Sequence, residues 1–195
     1  MSQQYGGKCG VCGDSYGMKV PRPHETGGFM ATNRTVKNYF PGSTMDIVID
    51  LATSHGGYFE FEICQRNSFD IIESEQCFTK LKFVDGSYRK SIPHDHSAEG
   101  LKTMSLMMPE DLRECRACVL RWNYHAGNNW GKCPDGTTGM GCGPQELYRN
   151  CADISIGYQM DRTPDRLPVR TRKLRQRWAT YGDRVKRNSD SGKAL

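Results

Sequence analysis

At 195 residues the chain matches one domain on ordinary size scaling, and with 36% apolar residues it has no run near the roughly 18 that a membrane-spanning helix needs. The formal charge of +5 is uneven: residues 161–195 carry 11 Lys/Arg and 4 Asp/Glu, net +7, leaving 16 and 18, net −2, for residues 1–160. A body this close to neutral excludes a global nucleic-acid-binding surface.

Residues 1–43 are rich in Gly, Pro and Asn without sustained periodicity and read as loop. In Thr44-Met-Asp-Ile-Val-Ile-Asp-Leu51, Met45, Ile47, Ile49 and Leu51 alternate with Asp46 and Asp50, which predicts a half-buried strand. After a turn at Ser54-His-Gly-Gly57 the alternation resumes over 58–64, with Phe59, Phe61 and Ile63 inward and Glu60 and Glu62 outward. The two runs are expected to form an antiparallel pair. Further strands are predicted at 101–108, at 117–124 with Cys118, Leu120, Trp122 and Tyr124 on one face, and at 151–158 with Ala152, Ile154 and Ile156 inward. Short strands between Gly/Pro/Asn loops suggest an all-β antiparallel sandwich.

From Pro164 and Pro168 onward the pattern changes. Leu174, Trp178, Tyr181 and Val185 would share one stripe of a basic amphipathic helix, interrupted at Gly182. Residues 161–195 therefore read as a basic tail, either a disordered extension or a helix for an anionic surface.

The chain has 9 cysteines, dense enough to imply either a disulfide framework of a secreted protein or a metal site. The opening residues show no secretory signal, while Asn33-Arg-Thr35 is a glycosylation sequon. Cys9-Gly-Val-Cys12 and Cys115-Arg-Ala-Cys118 have the spacing of zinc knuckles. About a hundred residues separate them, against roughly 15–20 in a compact zinc ribbon, so disulfides are the better use, including a short bridge from Cys64 to Cys77. An odd count means one thiol is left over, paired with another chain, or missing its partner from the sequence. Among the histidines, His94-Asp-His96 is a weak metal tract in a polar loop, whereas His55 sits at a turn that two strands hold in place.

Lys8-Cys-Gly-Val-Cys-Gly-Asp14, Pro21-Arg-Pro-His24, Ser54-His-Gly-Gly-Tyr-Phe-Glu-Phe61, Cys115-Arg-Ala-Cys-Val-Leu-Arg-Trp122, Gly127-Asn-Asn-Trp-Gly131, Gly141-Cys-Gly-Pro-Gln-Glu146 and Asn150-Cys-Ala-Asp-Ile154 follow one another in this order. Together they resemble the copper-dependent lytic polysaccharide monooxygenases, in particular the invertebrate branch, auxiliary activity family fifteen, over about residues 6–156. The resemblance implies an immunoglobulin-like β-sandwich over residues 1–160 with long disulfide-stapled loops, secretion, a monomeric state and oxidative cleavage of chitin or a related β-1,4-linked polysaccharide.

It also implies a mononuclear copper held by a histidine brace, in which three nitrogens leave a position open for dioxygen or peroxide. By position, His55 matches the family's second copper histidine and Tyr148 its axial aromatic. Thr53 replaces a small alanine common two residues before that histidine. Relatives begin a few tens of residues upstream, with the brace histidine and one further cysteine. The expectation is thus an N-terminally truncated member with weak copper binding and impaired activity, or a non-catalytic polysaccharide-binding module of the same fold.

Overall fold

In this computed structural model, residue 5 and residues 7–157 are described, and the basic segment 161–195 lies outside them. The strands in chain order are β1 (Lys37–Tyr39), β2 (Thr44–Leu51), β3 (Tyr58–Cys64), β4 (Phe78–Lys80), β5 (Lys82–Phe83), β6 (Lys90–Ser91), β7 (Gly100–Met107), β8 (Cys115–His125), β9 (Trp130–Lys132), β10 (Thr138–Met140) and β11 (Leu147–Ile156). Every alternating run expected to be a strand is one. β11 starts earlier than expected, at Leu147, and β1 falls inside the stretch read as loop.

One sheet runs β1-β11-β8-β3-β4, with β6 also on β3; a second runs β2-β7-β5; β9 and β10 make a separate hairpin. Among the described residues only β1, beside β11, pairs in parallel. The expected pairing of β2 with β3 does not occur. β2 pairs with β7 from Thr44 to Leu51, while β3 pairs with β8. Alternation says which face of a strand is apolar, but two such faces can meet across a core as readily as lie side by side. Here loop 52–57 crosses from one sheet to the other. Met45, Leu51, Phe83 and Leu106 of the second sheet accordingly pack against Phe59, Phe61, Ile63, Tyr124, Ile154 and Ile156 of the first.

The outer face of the larger sheet is covered rather than solvated. Glu60, expected to point outward into water, is 4% exposed. It accepts hydrogen bonds from Lys80 Nζ and Arg89 Nε. Beside it, Arg121 is buried and pairs with Glu62 and Glu75 while its guanidinium lies 3.7 Å over the Phe78 ring. Lys80 and Phe78 come from the short strand β4, and Arg89 and Glu75 from the segments flanking it, none of which the alternation registers, and buried charge persists only when so paired.

Cys12–Cys151, Cys64–Cys77, Cys115–Cys118 and Cys133–Cys142 are disulfides. The Cys64–Cys77 bridge is the one expected. The two Cys-x-x-Cys pairs do not converge on a zinc site: Cys12 ties the N-terminal loop to β11, and Cys9 keeps a free thiol.

Candidate functional site

The site forms where loop 52–57 meets one end of β8 and β11. Phe59, Tyr124 and Tyr148 stand opposite one another across β3, β8 and β11, so their rings line one row of the inner face. Tyr124 stacks on Tyr148 with centroids 5.7 Å apart. Its phenol oxygen accepts the backbone N–H of His55 at 2.8 Å. The result is an imidazole lying parallel to the Tyr148 ring, 6.0 Å away and inclined by 10°.

Loop 52–57 is held from both sides. The His55 carbonyl accepts the N–H of Gly127, and the Gly57 carbonyl accepts that of Ile92. The Ser54 hydroxyl donates to the Pro93 carbonyl, and Glu99 accepts the Ser54 N–H. Gly57 has φ +87°, and a Cβ there would land on the His125 carbonyl oxygen. Only glycine lets the loop lie this close to β8.

Asn128 places its carboxamide 3.0 Å from His55 Nδ1. With the NH₂ group toward the ring, Nδ1 must accept, the proton sits on Nε2, and the Asn128 Oδ1 atom is buried without a partner. With the carboxamide reversed, Nδ1–H donates to Oδ1 and the Nε2 lone pair is free. The second arrangement leaves Nε2 free and is the one a metal-ligating histidine adopts. His55 therefore fits as a nitrogen ligand for copper.

Tyr148 is partly exposed, and its hydroxyl donates to Glu146 Oε2 at 2.7 Å. This bond to a carboxylate, aided by burial, pushes the phenol up to about 12. Tyr148 is consequently a neutral phenol at physiological pH, a weaker donor than a phenolate. Among the described residues no three His, Cys, Asp or Glu side chains gather as a metal site. His55 and Tyr148 thus offer one imidazole nitrogen and one phenol oxygen to a metal such as copper.

The other histidines are used otherwise. His24 Nδ1 pairs with Asp14 at 2.7 Å. His94 packs its ring beside Gly56. Asp95 caps a short 3-10 turn by accepting the Ser97 N–H, and His96 pairs with Glu99, so the His94-Asp-His96 tract is a turn. His125 stacks on Tyr58 and lies 3.5 Å from Glu60. Thr53 lines a cavity of about 580 Å³ that opens beside His55 and Tyr148 and extends past Leu51 and Trp122 to Cys9. Sequence reasoning assigned no role to Asn128 or Glu146, although both lie in motifs, Gly127–Gly131 and Gly141–Glu146, that carried the resemblance.

The site is thus a loop histidine stacked on a tyrosine at one end of a disulfide-stapled β-sandwich. Residues 2–154 match the family model for lytic polysaccharide mono-oxygenase, cellulose-degrading. The chain is also similar to the Lytic Polysaccharide Monooxygenase AA15 from Thermobia domestica in the Cu(I) State, at 46% identity and a TM-score of 0.74, over 79% of each chain. No curated protein sequence matches the chain. The chain belongs to the lytic polysaccharide monooxygenase family.

Proposed function

We propose that the sandwich takes part in copper-dependent oxidative cleavage of chitin or a related β-1,4-linked polysaccharide, in which His55 and Tyr148 would hold the copper, His55 as its nitrogen ligand. The observation that carries this reading is the His55–Tyr148 stack, with Asn128 directed at Nδ1. Copper, when bound, supplies the one-electron chemistry with dioxygen or peroxide that oxidises a carbon at the glycosidic linkage.

The chain's own residues have defined tasks. Asn128 holds the His55 ring and sets its tautomer. Glu146 keeps the phenol of Tyr148 protonated and oriented. Tyr124 anchors the backbone of His55 from inside the core. Four disulfides fit an oxidising, extracellular setting, and the near-neutral body fits an uncharged polymer better than a nucleic acid.

Among the described residues the donors are one imidazole and one neutral phenol, so copper held by these two side chains alone is expected to bind weakly. Calorimetric titration with Cu(II) tests this. The expected result is weak binding that His55→Ala abolishes. A single submicromolar site would overturn the expected weakness, and an unchanged isotherm in His55→Ala would overturn the role of His55. The donor set also motivates a second reading, a polysaccharide-binding module of the same fold, which retention on chitin without copper or reductant would support.

A further inference from the structure

One motif of the sequence has no part in the site: Asn33-Arg34-Thr35, the only Asn-x-Ser/Thr tripeptide in the 195 residues. The fold presents it as a loop tip held at both ends. On one side the Met30 N–H donates to the Pro23 carbonyl and the Ala31 N–H to the Gly28 carbonyl. On the other the Thr35 hydroxyl donates to the Arg116 carbonyl at 3.1 Å, and the Val36 N–H donates to the Asp153 carbonyl. Between these anchors Thr32, Asn33 and Arg34 are all exposed.

Asn33 itself is unusual. Among the described residues it is the one non-glycine with a positive φ, +51°, a conformation that asparagine tolerates better than most side chains. Its carboxamide makes no hydrogen bond among the described residues, so Nδ2 is uncommitted. The same segment leaves apolar surface in solvent: Phe29 is 83% exposed and Val36 70%, with Met30 and Phe40 more than half exposed. The loop also lies away from the candidate site. Its anchor Arg116 stands at the first turn of side chains in β8, whereas His125 ends that strand beside loop 52–57, a separation of about 30 Å along the strand.

From this arrangement we infer that Asn33 is a modification site, carrying an N-linked oligosaccharide that covers the apolar strip around it and leaves the His55 end clear. The inference rests on the extracellular reading of the protein, because the sugar donor and its transferase belong to the secretory route. The tripeptide meets the acceptor rule, with Arg34 rather than proline in the middle and the Thr35 hydroxyl two residues on. An attached glycan is bulky and solubilising and needs a surface loop, which residues 32–34 supply. In the transfer, Asn33 Nδ2 bonds to the anomeric carbon of an N-acetylglucosamine and gives up one proton. The bond from that carbon to the diphosphate of a lipid-linked oligosaccharide breaks, and the lipid diphosphate leaves. Thr35 is available before the chain folds and ties the loop to Arg116 afterwards.

The test directs the full chain into the secretory pathway of a eukaryotic host and reads its intact mass before and after peptide-N-glycosidase, for the wild type, Asn33→Asp and Thr35→Ser. Asn33→Asp keeps the tolerance for positive φ and removes the acceptor, whereas Thr35→Ser keeps acceptor and hydroxyl. The expected result is one oligosaccharide on the wild type and on Thr35→Ser, which the enzyme removes to leave aspartate at position 33, and none on Asn33→Asp. Stripping should also raise the fluorescence of a hydrophobic dye such as ANS, and no rise overturns the covering role. Secreted, disulfide-bonded wild type without sugar overturns the site and leaves the extracellular reading standing. Wild type that enters the pathway but is retained with its cysteines unpaired overturns both. Sugar persisting on Asn33→Asp assigns it to another residue and overturns the proposal.

Discussion

The imidazole of His55 and the ring of Tyr148 lie parallel with their centroids 6.0 Å apart, although 93 positions separate them in the chain. Their meeting depends on β8, which pairs with β3 on one side and β11 on the other. Tyr124 of that central strand touches both residues: it stacks on Tyr148 and accepts the N–H of His55. A site assembled this way is as rigid as the sheet beneath it.

The hydrogen bond from Tyr148 to Glu146 is expected to govern the ionisation of that phenol. Glu146 accepts the phenolic proton and so stabilises the neutral form, which is why the phenol is held up to about 12. In Glu146→Gln the charged acceptor is gone, and the value should fall toward the ordinary tyrosine range of about 10. Absorbance titration near 295 nm of the two proteins, with Tyr148→Phe assigning the affected group, reads the difference. Superimposable curves would remove Glu146 from the role.

Stability should fall as pH drops, through two groups on the covered face of the sheet. Burial lowers His125 below the usual histidine range. Glu60 is raised by burial but lowered more by its bonds to Arg89 and Lys80, and ends below the usual carboxylate range. Both groups bind protons more readily in the unfolded chain, so each contributes stability that is present above its unfolded pKa and lost below it. The loss begins near the unfolded histidine value of about 6.5 and resumes near the unfolded glutamate value of about 4.3. Thermal midpoints from pH 8 to pH 4 should show both steps, His125→Gln flattening the first and Glu60→Gln the second.

Cys9 is the unpaired cysteine among the nine, and the eight others are disulfide-bonded. Burial pushes its thiol up despite the nearby Arg149 guanidinium, so little thiolate exists at neutral pH. A disulfide-exchange titrant should find one thiol per native chain, reacting more slowly than free cysteine at pH 7 and accelerating at higher pH. Finding no thiol in the monomer would contradict the pairing described above.

Two glycines separate backbone strain from crowding. Gly57 and Gly136 both have positive φ, at +87° and +89°, but a Cβ on Gly136 meets nothing within 4 Å whereas one on Gly57 lands on the His125 carbonyl oxygen. Gly136→Ala should cost only the left-handed penalty of about 1–2 kcal/mol. Gly57→Ala adds a backbone displacement under the His55 loop and should cost more than about 3 kcal/mol. Denaturant midpoints at constant m-value provide the comparison, and similar losses in the two variants would show that loop 52–57 yields easily.

Much of the architecture is local and was therefore readable. Alternation over 44–51 and 58–64 marks strands because side chains on a strand change face at every residue, and the odd number of cysteines left one without a partner within the chain. The order of short motifs from Lys8 to Ile154 placed the chain in its family and pointed to His55 and Tyr148. What alternation leaves open is the partner of each strand. β2 was matched with β3 on sequence proximity, whereas the tertiary fold sends them to opposite sheets. The same limit hid the burial of Glu60, whose covering residues Lys80 and Arg89 come from a segment with no legible period.

The sequence by itself determined the strand faces, the all-β class and the family, and it singled out the two candidate site residues, since these follow from local periodicity and ordered motifs. Only the tertiary structure decided that Asn128 meets His55 and that Glu146 holds the Tyr148 phenol. Those contacts depend on strand pairing and loop crossing between residues far apart in the chain, and spacing along one segment carries no information about which distant surface it will meet.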